Sequence, residues 1–319
     1  MAWYWILLIV VGAIVVLYTV LCVVVGRKVL HLAATPVAHT IEEARAQQIA
    51  QEGWDFDEYD NVWQKEPFEV DGVHGKVRGE FVHNPANDSR AVKRVAVVCH
   101  GHTWNRINSV KYGKIFYDAG YDLVLYDHAY FGLSDGNFTT LGFYERHDLN
   151  TVLNLVRARY GNDAFVVLQG ESMGAATVLG ELGLRDDIGA VVADCPFSDT
   201  MAYYREICLE FTHFPGFPVV DFANMMSKRM YGYDFTKYKP IDYVAASGTP
   251  VCFIHGKADK FIYPHHSEDM YKVCRNPLSE LHLVDGAAHA RSYLTDPIAY
   301  KQIVTQFLSK VEQSVEKSA

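Results

Sequence analysis

Phe165-Val-Val-Leu-Gln169-Gly170-Glu171-Ser172-Met173-Gly174-Ala175-Ala176 is the stretch on which the fold of this chain turns. Its first four residues form an apolar run without alternation, which predicts a strand covered on both faces. Gly170 and Gly174 then stand two places either side of Ser172, and an Ala/Leu-rich segment follows. This G-x-S-x-G spacing predicts a tight strand-to-helix turn with the serine in strained backbone geometry. Side chains two before and two after such a serine would collide, which is why glycine occupies both places. The helix that starts there aims its free N–H groups and positive dipole end back at the turn.

Outward from this stretch the pattern repeats. Arg94–Cys99, Tyr121–Tyr126, Ala190–Ala193, Val251–His255 and Leu281–Val284 read as further buried strands. Leu149, Val152, Leu153 and Val156 follow helical spacing, with Gly161 as a stop signal. Strands alternating with helices predict an α/β fold: a mostly parallel central sheet with right-handed crossovers and helices on both faces. Val73–Val82 alternates like an exposed antiparallel strand. Thr40 and Glu43 have capping-box spacing, with Gly53 able to end that helix, and a last helix is expected from Pro297 with the stripe Ile303, Val304, Phe307, Leu308 and Val311. One connection, between Asp194 and Pro250, is too long for a simple crossover. Its segment 196–243 holds 12 Phe/Tyr in 48 positions, against 13% aromatics in the whole chain, and adds Met225, Met226 and Met230. A short helical cap over a substrate site is expected there.

Residues 1–26 carry no charged side chain. That exceeds the ~20 apolar residues a bilayer core requires, so a single transmembrane helix is expected. Trp3, Tyr4 and Trp5 stand at one end as interfacial aromatics do, and Arg27 and Lys28 follow the other. The positive-inside rule then places everything after them on the cytoplasmic side. The expected organisation is a membrane anchor over 1–26, a linker with a juxtamembrane helix over 27–67, and an α/β domain over 68–319. The six cysteines lie mostly in apolar runs and suit buried free thiols in a reducing compartment. With 29 Lys+Arg against 38 Asp+Glu the net charge is −9, the wrong sign for a nucleic-acid binder. Half the residues are hydrophobic, which excludes a disordered chain. The acidic patch Asp55, Asp57, Glu58 and Asp60 lacks calcium-loop spacing and reads as a solvated surface.

A serine hydroxyl needs a base, and the base an orienting acid. Where the serine stands on a G-x-S-x-G turn between strand and helix, the acid and then the base follow it along the chain, and loops past the carboxyl ends of parallel strands are where such sheets put ligands. Among 14 histidines, His289 lies just beyond the last strand and before the final helix, whereas His282 lies inside that strand. His289 is therefore the expected base. Asp259, in the loop after 251–255, is the preferred acid; Asp194, at the end of the preceding strand, is its competitor. Oxyanion donors are expected from the backbone N–H of Met173 and from that of His102 in His100-Gly101-His102. His100 with His102, and His265 with His266, are poor metal pairs for want of a third ligand at suitable spacing; the latter reads as the start of a helix.

Cys99–His102, Asp127 through Gly132-Leu-Ser134, Gly170–Gly174, Asp194-Cys-Pro-Phe-Ser198, Thr249 through Asp259 and His289–Tyr293 together resemble the α/β-hydrolase superfamily. Within it they are most similar to bacterial membrane-anchored hydrolases of the serine-aminopeptidase-like, or lysophospholipase-like, group. The resemblance covers roughly 68–312 and implies an α/β-hydrolase fold with the triad Ser172, Asp259 and His289. Two places depart from the family: Ala129 and Tyr130 stand where relatives carry an Arg and an early Gly, and Ala288 where the residue before the histidine is often Gly. The expected activity is a serine hydrolase cleaving a small-molecule acyl ester, with the anchor pointing to a lipid-derived one. Alternatives are a peptidase, amidase or acyltransferase on the same triad, or a membrane-tethered binding protein without catalysis. Neither a metal nor an organic cofactor is expected, and oligomeric state is left open.

Overall fold

The computed structural model describes residues 2–318. Among them eight strands form one sheet: β1 (Gln64–Gly72), β2 (Gly75–His83), β3 (Arg94–Cys99), β4 (Asp122–Tyr126), β5 (Phe165–Glu171), β6 (Ala190–Asp194), β7 (Val251–Gly256) and β8 (Glu280–Val284). Their order is β1-β2-β4-β3-β5-β6-β7-β8. β2 runs antiparallel to both its neighbours, and from β4 onward every pairing is parallel.

The unbroken apolar runs are what a sheet with two covered faces requires. Alternate residues of one strand enter opposite cores. Val95 and Val97 pack with Val166, Leu168 and the helix residues Leu149, Val152 and Val156. Ala96 and Val98 pack with Val167, Ile254 and, from helix Pro297–Ser318, Val304, Phe307 and Val311. The chain goes from β3 to β4 on one side and then to β5 on the other. Such a reversal opens a crevice beyond the strand carboxyl ends, the usual place for a ligand in open α/β sheets.

Two expectations are corrected. The alternating stretch 73–82 is not one exposed strand. It is the turn and second arm of a hairpin, with Gly75 at φ 124°, which favours glycine, and with Val77, Phe81 and Val82 buried. The first arm, β1, starts at Gln64, ahead of the expected boundary at 68; charged residues and Pro67 hide it, as they do in strands at a sheet edge. The helix capped by Thr40 and Glu43 carries both reciprocal hydrogen bonds, but after Gln47 it continues as a π-helical turn to Glu52 before Gly53 ends it.

The N-terminal helix runs Ala2–Ala34, 33 residues or about 50 Å. Its uncharged part over 2–26 spans about 38 Å, enough for a ~30 Å hydrocarbon core. It is the one helix among the described residues long and apolar enough to cross a membrane. Between β6 and β7 lie the helices Thr200–Thr212, Gly216–Tyr231 and Pro240–Ala246. The first lines the same cavity as Ser172, the third packs by Val244 on one face of the sheet, and the second packs on the N-terminal helix so closely that a Cβ at Gly26 would meet the carbonyl of Val219.

Candidate active site

β5 ends in the turn that the glycines require. Ser172 sits at φ 55°, ψ −113°, a conformation few non-glycine residues adopt, and its N–H donates to the Asp194 carbonyl at 2.8 Å. A Cβ at Gly170 would overlap the Gly174 backbone, and one at Gly174 would overlap the carbonyl of Cys99 on the neighbouring strand. Both obstacles are main chain and cannot swing aside. Gly174→Ala is therefore expected to destabilise the fold by about 1–3 kcal/mol, read as a lower urea midpoint with an unchanged slope.

Met173 opens the helix Met173–Glu181, so its N–H is one of the donors left without an intrahelical partner. Ser172, Met173 and His102 line one cavity of about 280 Å³. The remaining lining is largely apolar, with Leu141, Phe197, Tyr203 and Ile262 among it.

His289 reaches Ser172 from the loop after β8: its Nε2 lies 2.9 Å from Ser172 Oγ. Its Nδ1 lies 2.7 Å from Asp259 Oδ2. The loops carrying Asp259 and His289 are joined along their backbones, since Lys257 N–H donates to Val284 O and Ala258 N–H to Ala287 O, both at 2.9 Å. A Cβ at Gly256 would strike the Ala287 carbonyl, so glycine is what lets them close up.

The Asp259 side chain is buried, and its Oδ1 accepts the N–H groups of Phe261 at 2.8 Å and Ile262 at 2.9 Å. Burial alone would raise this carboxyl. Hydrogen bonding from His255 and His289 outweighs it and holds the group well below the usual carboxylate range. His255 is a partner that sequence reading passed over as a strand end. Its Nε2 lies 3.3 Å from Asp259 Oδ2, and its Nδ1 is bonded to Ser267 Oγ at 2.7 Å. The available signal was a histidine closing an otherwise apolar run.

Asp194, the competing acid, does not meet His289. Its carboxyl lies wholly buried near Tyr300 and Ser292, pushed up to about 8 by burial and then by the charge of Glu171. What it offers the turn is its backbone carbonyl.

His102 stands in the loop after β3, where the sequence placed it. Its ring Nε2 lies 2.9 Å from Ala33 O, at the end of the N-terminal helix. The carbonyl can only accept, so this nitrogen carries the proton. His39 N–H donates to Thr103 O at 2.9 Å, and Asn105 Nδ2 to His39 O at 3.0 Å. The segment 33–40 thus grips the whole 102–105 loop, a long-range arrangement with no local sequence signal.

His100 accepts the His128 N–H on Nε2 at 2.9 Å and is pulled down to about 4 by burial. Its ring is spent on the main chain, as is that of His102. Three groups among the described residues bring His, Cys or acid side chains within reach of a common ion: Cys195, Asp259 and His289; Glu206, His265 and His266; and Cys252, Glu280 and His282. In the second, the Glu206 carboxylate binds one histidine with each oxygen, tying helix Thr200–Thr212 to helix His265–Val273.

Residues 90–244 match the family described as serine aminopeptidase, S33. The uncharacterized protein YqkD of Bacillus subtilis (strain 168) is 35% identical over 224 residues, covering 69% of this chain and 72% of that one. The uncharacterized protein YfhR of Escherichia coli (strain K12) is 26% identical over 231 residues, 70% of this chain and 73% of that one. Among solved structures, the Pyrococcus furiosus esterase Pf2001 superposes with a TM-score of 0.65 at 22% identity, over 81% of this chain and 94% of its own. Est1E of Butyrivibrio proteoclasticus, with ferulic acid bound, gives 0.59 at 18% identity, over 76% and 99%. At these identities the two structures speak to the fold.

Proposed function

Because the chain belongs to the α/β serine hydrolases, in the family described as serine aminopeptidase, S33, we propose that it cleaves carboxylic esters through an acyl-enzyme formed on Ser172. The observation that carries this reading is the hydrogen-bonded series Ser172 Oγ, His289, Asp259 at 2.9 and 2.7 Å. Ser172 Oγ attacks the ester carbonyl carbon while its proton passes to His289 Nε2. The oxyanion so formed is held by the backbone N–H groups of Met173 and His102. Collapse breaks the bond to the alcohol, which leaves with the proton from His289. Water then repeats the sequence on the acyl-serine, releasing the carboxylic acid and restoring both side chains. Asp259 keeps Nδ1 protonated and Nε2 free to accept. The N-terminal helix anchors the enzyme in a membrane, with Arg27 and Lys28 placing the hydrolase domain on the cytoplasmic side.

Ester rather than aminopeptide cleavage is favoured by the cavity lining. An aminopeptidase must hold the α-ammonium of its substrate, and among the described residues lining this cavity there is no carboxylate to do so. Burying that ammonium unpaired costs several kcal/mol, so kcat/KM for p-nitrophenyl butyrate is expected to exceed that for alanine p-nitroanilide by about 10³-fold. A chromogenic assay of both on the full-length protein in detergent checks this; a preference for the anilide would overturn the ester reading.

A further inference from the structure

The cavity above Ser172 is not closed by the α/β fold alone. One wall comes from the last turns of the N-terminal helix, where Val29, Leu32 and Ala33 face the same space as Ser172. Ile207 and Phe211, on cap helix Thr200–Thr212, line it too. A helix that served only as a tether would have no reason to line the site.

The depth of these walls can be read from charge. Arg27 and Lys28 are exposed and mark the edge of the hydrocarbon core, so Val29–Ala33 lie within about 10 Å beyond it. On the other side of the charge pair, Cys22 is buried in the same cluster as Val219, Val220 and Ala223 of the cap helix Gly216–Tyr231. The cap therefore reaches past the charges to the uncharged part of the N-terminal helix. The two helices also end together: Ala34 O accepts Thr139 N–H at 2.8 Å, and Tyr231 O accepts Tyr144 O–H at 3.2 Å. They lie side by side in the same direction, so the start of the cap helix points back toward the bilayer. Phe217 at that start, with Leu209 and Phe211 at the adjoining end of helix Thr200–Thr212, are 69%, 56% and 62% exposed. Such a cluster is costly in water and at home at a lipid interface.

We propose that the substrate is a long-chain acyl ester resident in the bilayer. Its chain enters along the seam between the N-terminal helix and the cap, and Val29 and Leu32 set the length accepted. The hydrolytic step is the one given above, and the proposal rests on that reading.

The test uses the full-length protein in phosphatidylcholine vesicles, with 4-methylumbelliferyl oleate in the bilayer and 4-methylumbelliferyl acetate in the water. Oleate in the protein's own vesicles is expected to be cleaved about tenfold faster than oleate supplied in separate vesicles. Val29→Trp narrows the seam and is expected to lower the oleate-to-acetate ratio of kcat/KM about tenfold, while Leu32→Ala moves the preferred acyl chain to greater length. Should Val29→Trp fail to fold, as loss of fluorophosphonate labelling would reveal, Leu32→Ala still decides. An unchanged chain preference in the folded variants, or equal rates from the two vesicle populations, overturns the proposal. Failure of the underlying hydrolase reading looks different: the wild type then cleaves neither ester and takes no fluorophosphonate.

Discussion

Ser172→Ala is expected to remove all fluorophosphonate labelling and to lower kcat for p-nitrophenyl butyrate by about 10⁶-fold. The size of the loss follows from what the hydroxyl does in the proposed cycle. Without Oγ there is no acyl-enzyme, and His289 and Asp259 have nothing to activate, so the three side chains fail as a unit. The fold should not suffer with it. The contacts that build the turn are main-chain: Ser172 N–H to Asp194 O, and the packing of Gly170 and Gly174 against neighbouring backbone. Alanine at φ 55° bears the same strain as serine. In-gel fluorescence and the ester assay should therefore collapse while the thermal midpoint stays put.

Asp259→Asn should cost about 10⁴-fold in kcat, for a reason of tautomers rather than of packing. Oδ1 of the asparagine can still accept from Phe261 and Ile262, which preserves the loop. Its NH₂ group then occupies the place of Oδ2, facing His289 Nδ1. It donates where the carboxylate accepted, so the imidazole must turn its proton toward Ser172 and can no longer take one. The matching control is Asp194→Asn. That carboxyl touches neither Ser172 Oγ nor His289, and the backbone carbonyl that holds the turn survives the substitution. A loss of less than about tenfold is expected from steady-state kinetics on this variant.

The contrast between these two aspartates also marks how much of the site the sequence itself carries. The central strands were legible because a sheet covered on both faces demands uninterrupted apolar runs, as in Val95–Cys99 and Phe165–Leu168. The turn at 170–174 was legible because its sterics admit few side chains. The nearness of 259 and 289 followed from adjacent strands delivering adjacent loops, β7 and β8. β1 was hidden because an exposed edge strand needs little apolar character and tolerates Pro67. The π-helical turn after Gln47 was hidden too; there the Gln48 side chain turns inward to bond Asn108 at 2.8 Å. Least legible was the role of the segment after the N-terminal helix. That Ala33 and His39 hold the 102–105 loop depends on contacts more than sixty residues apart, which no local pattern encodes.

The most direct test of the account is to trap the covalent intermediate. Wild-type protein mixed briefly with p-nitrophenyl butyrate, quenched in acid and digested, should yield by mass spectrometry a butyrylated peptide with the modification on Ser172, and Ser172→Ala should yield none. Turnover of the ester with Ser172 unmodified at every quench time, or with the acyl group on another residue, would contradict it.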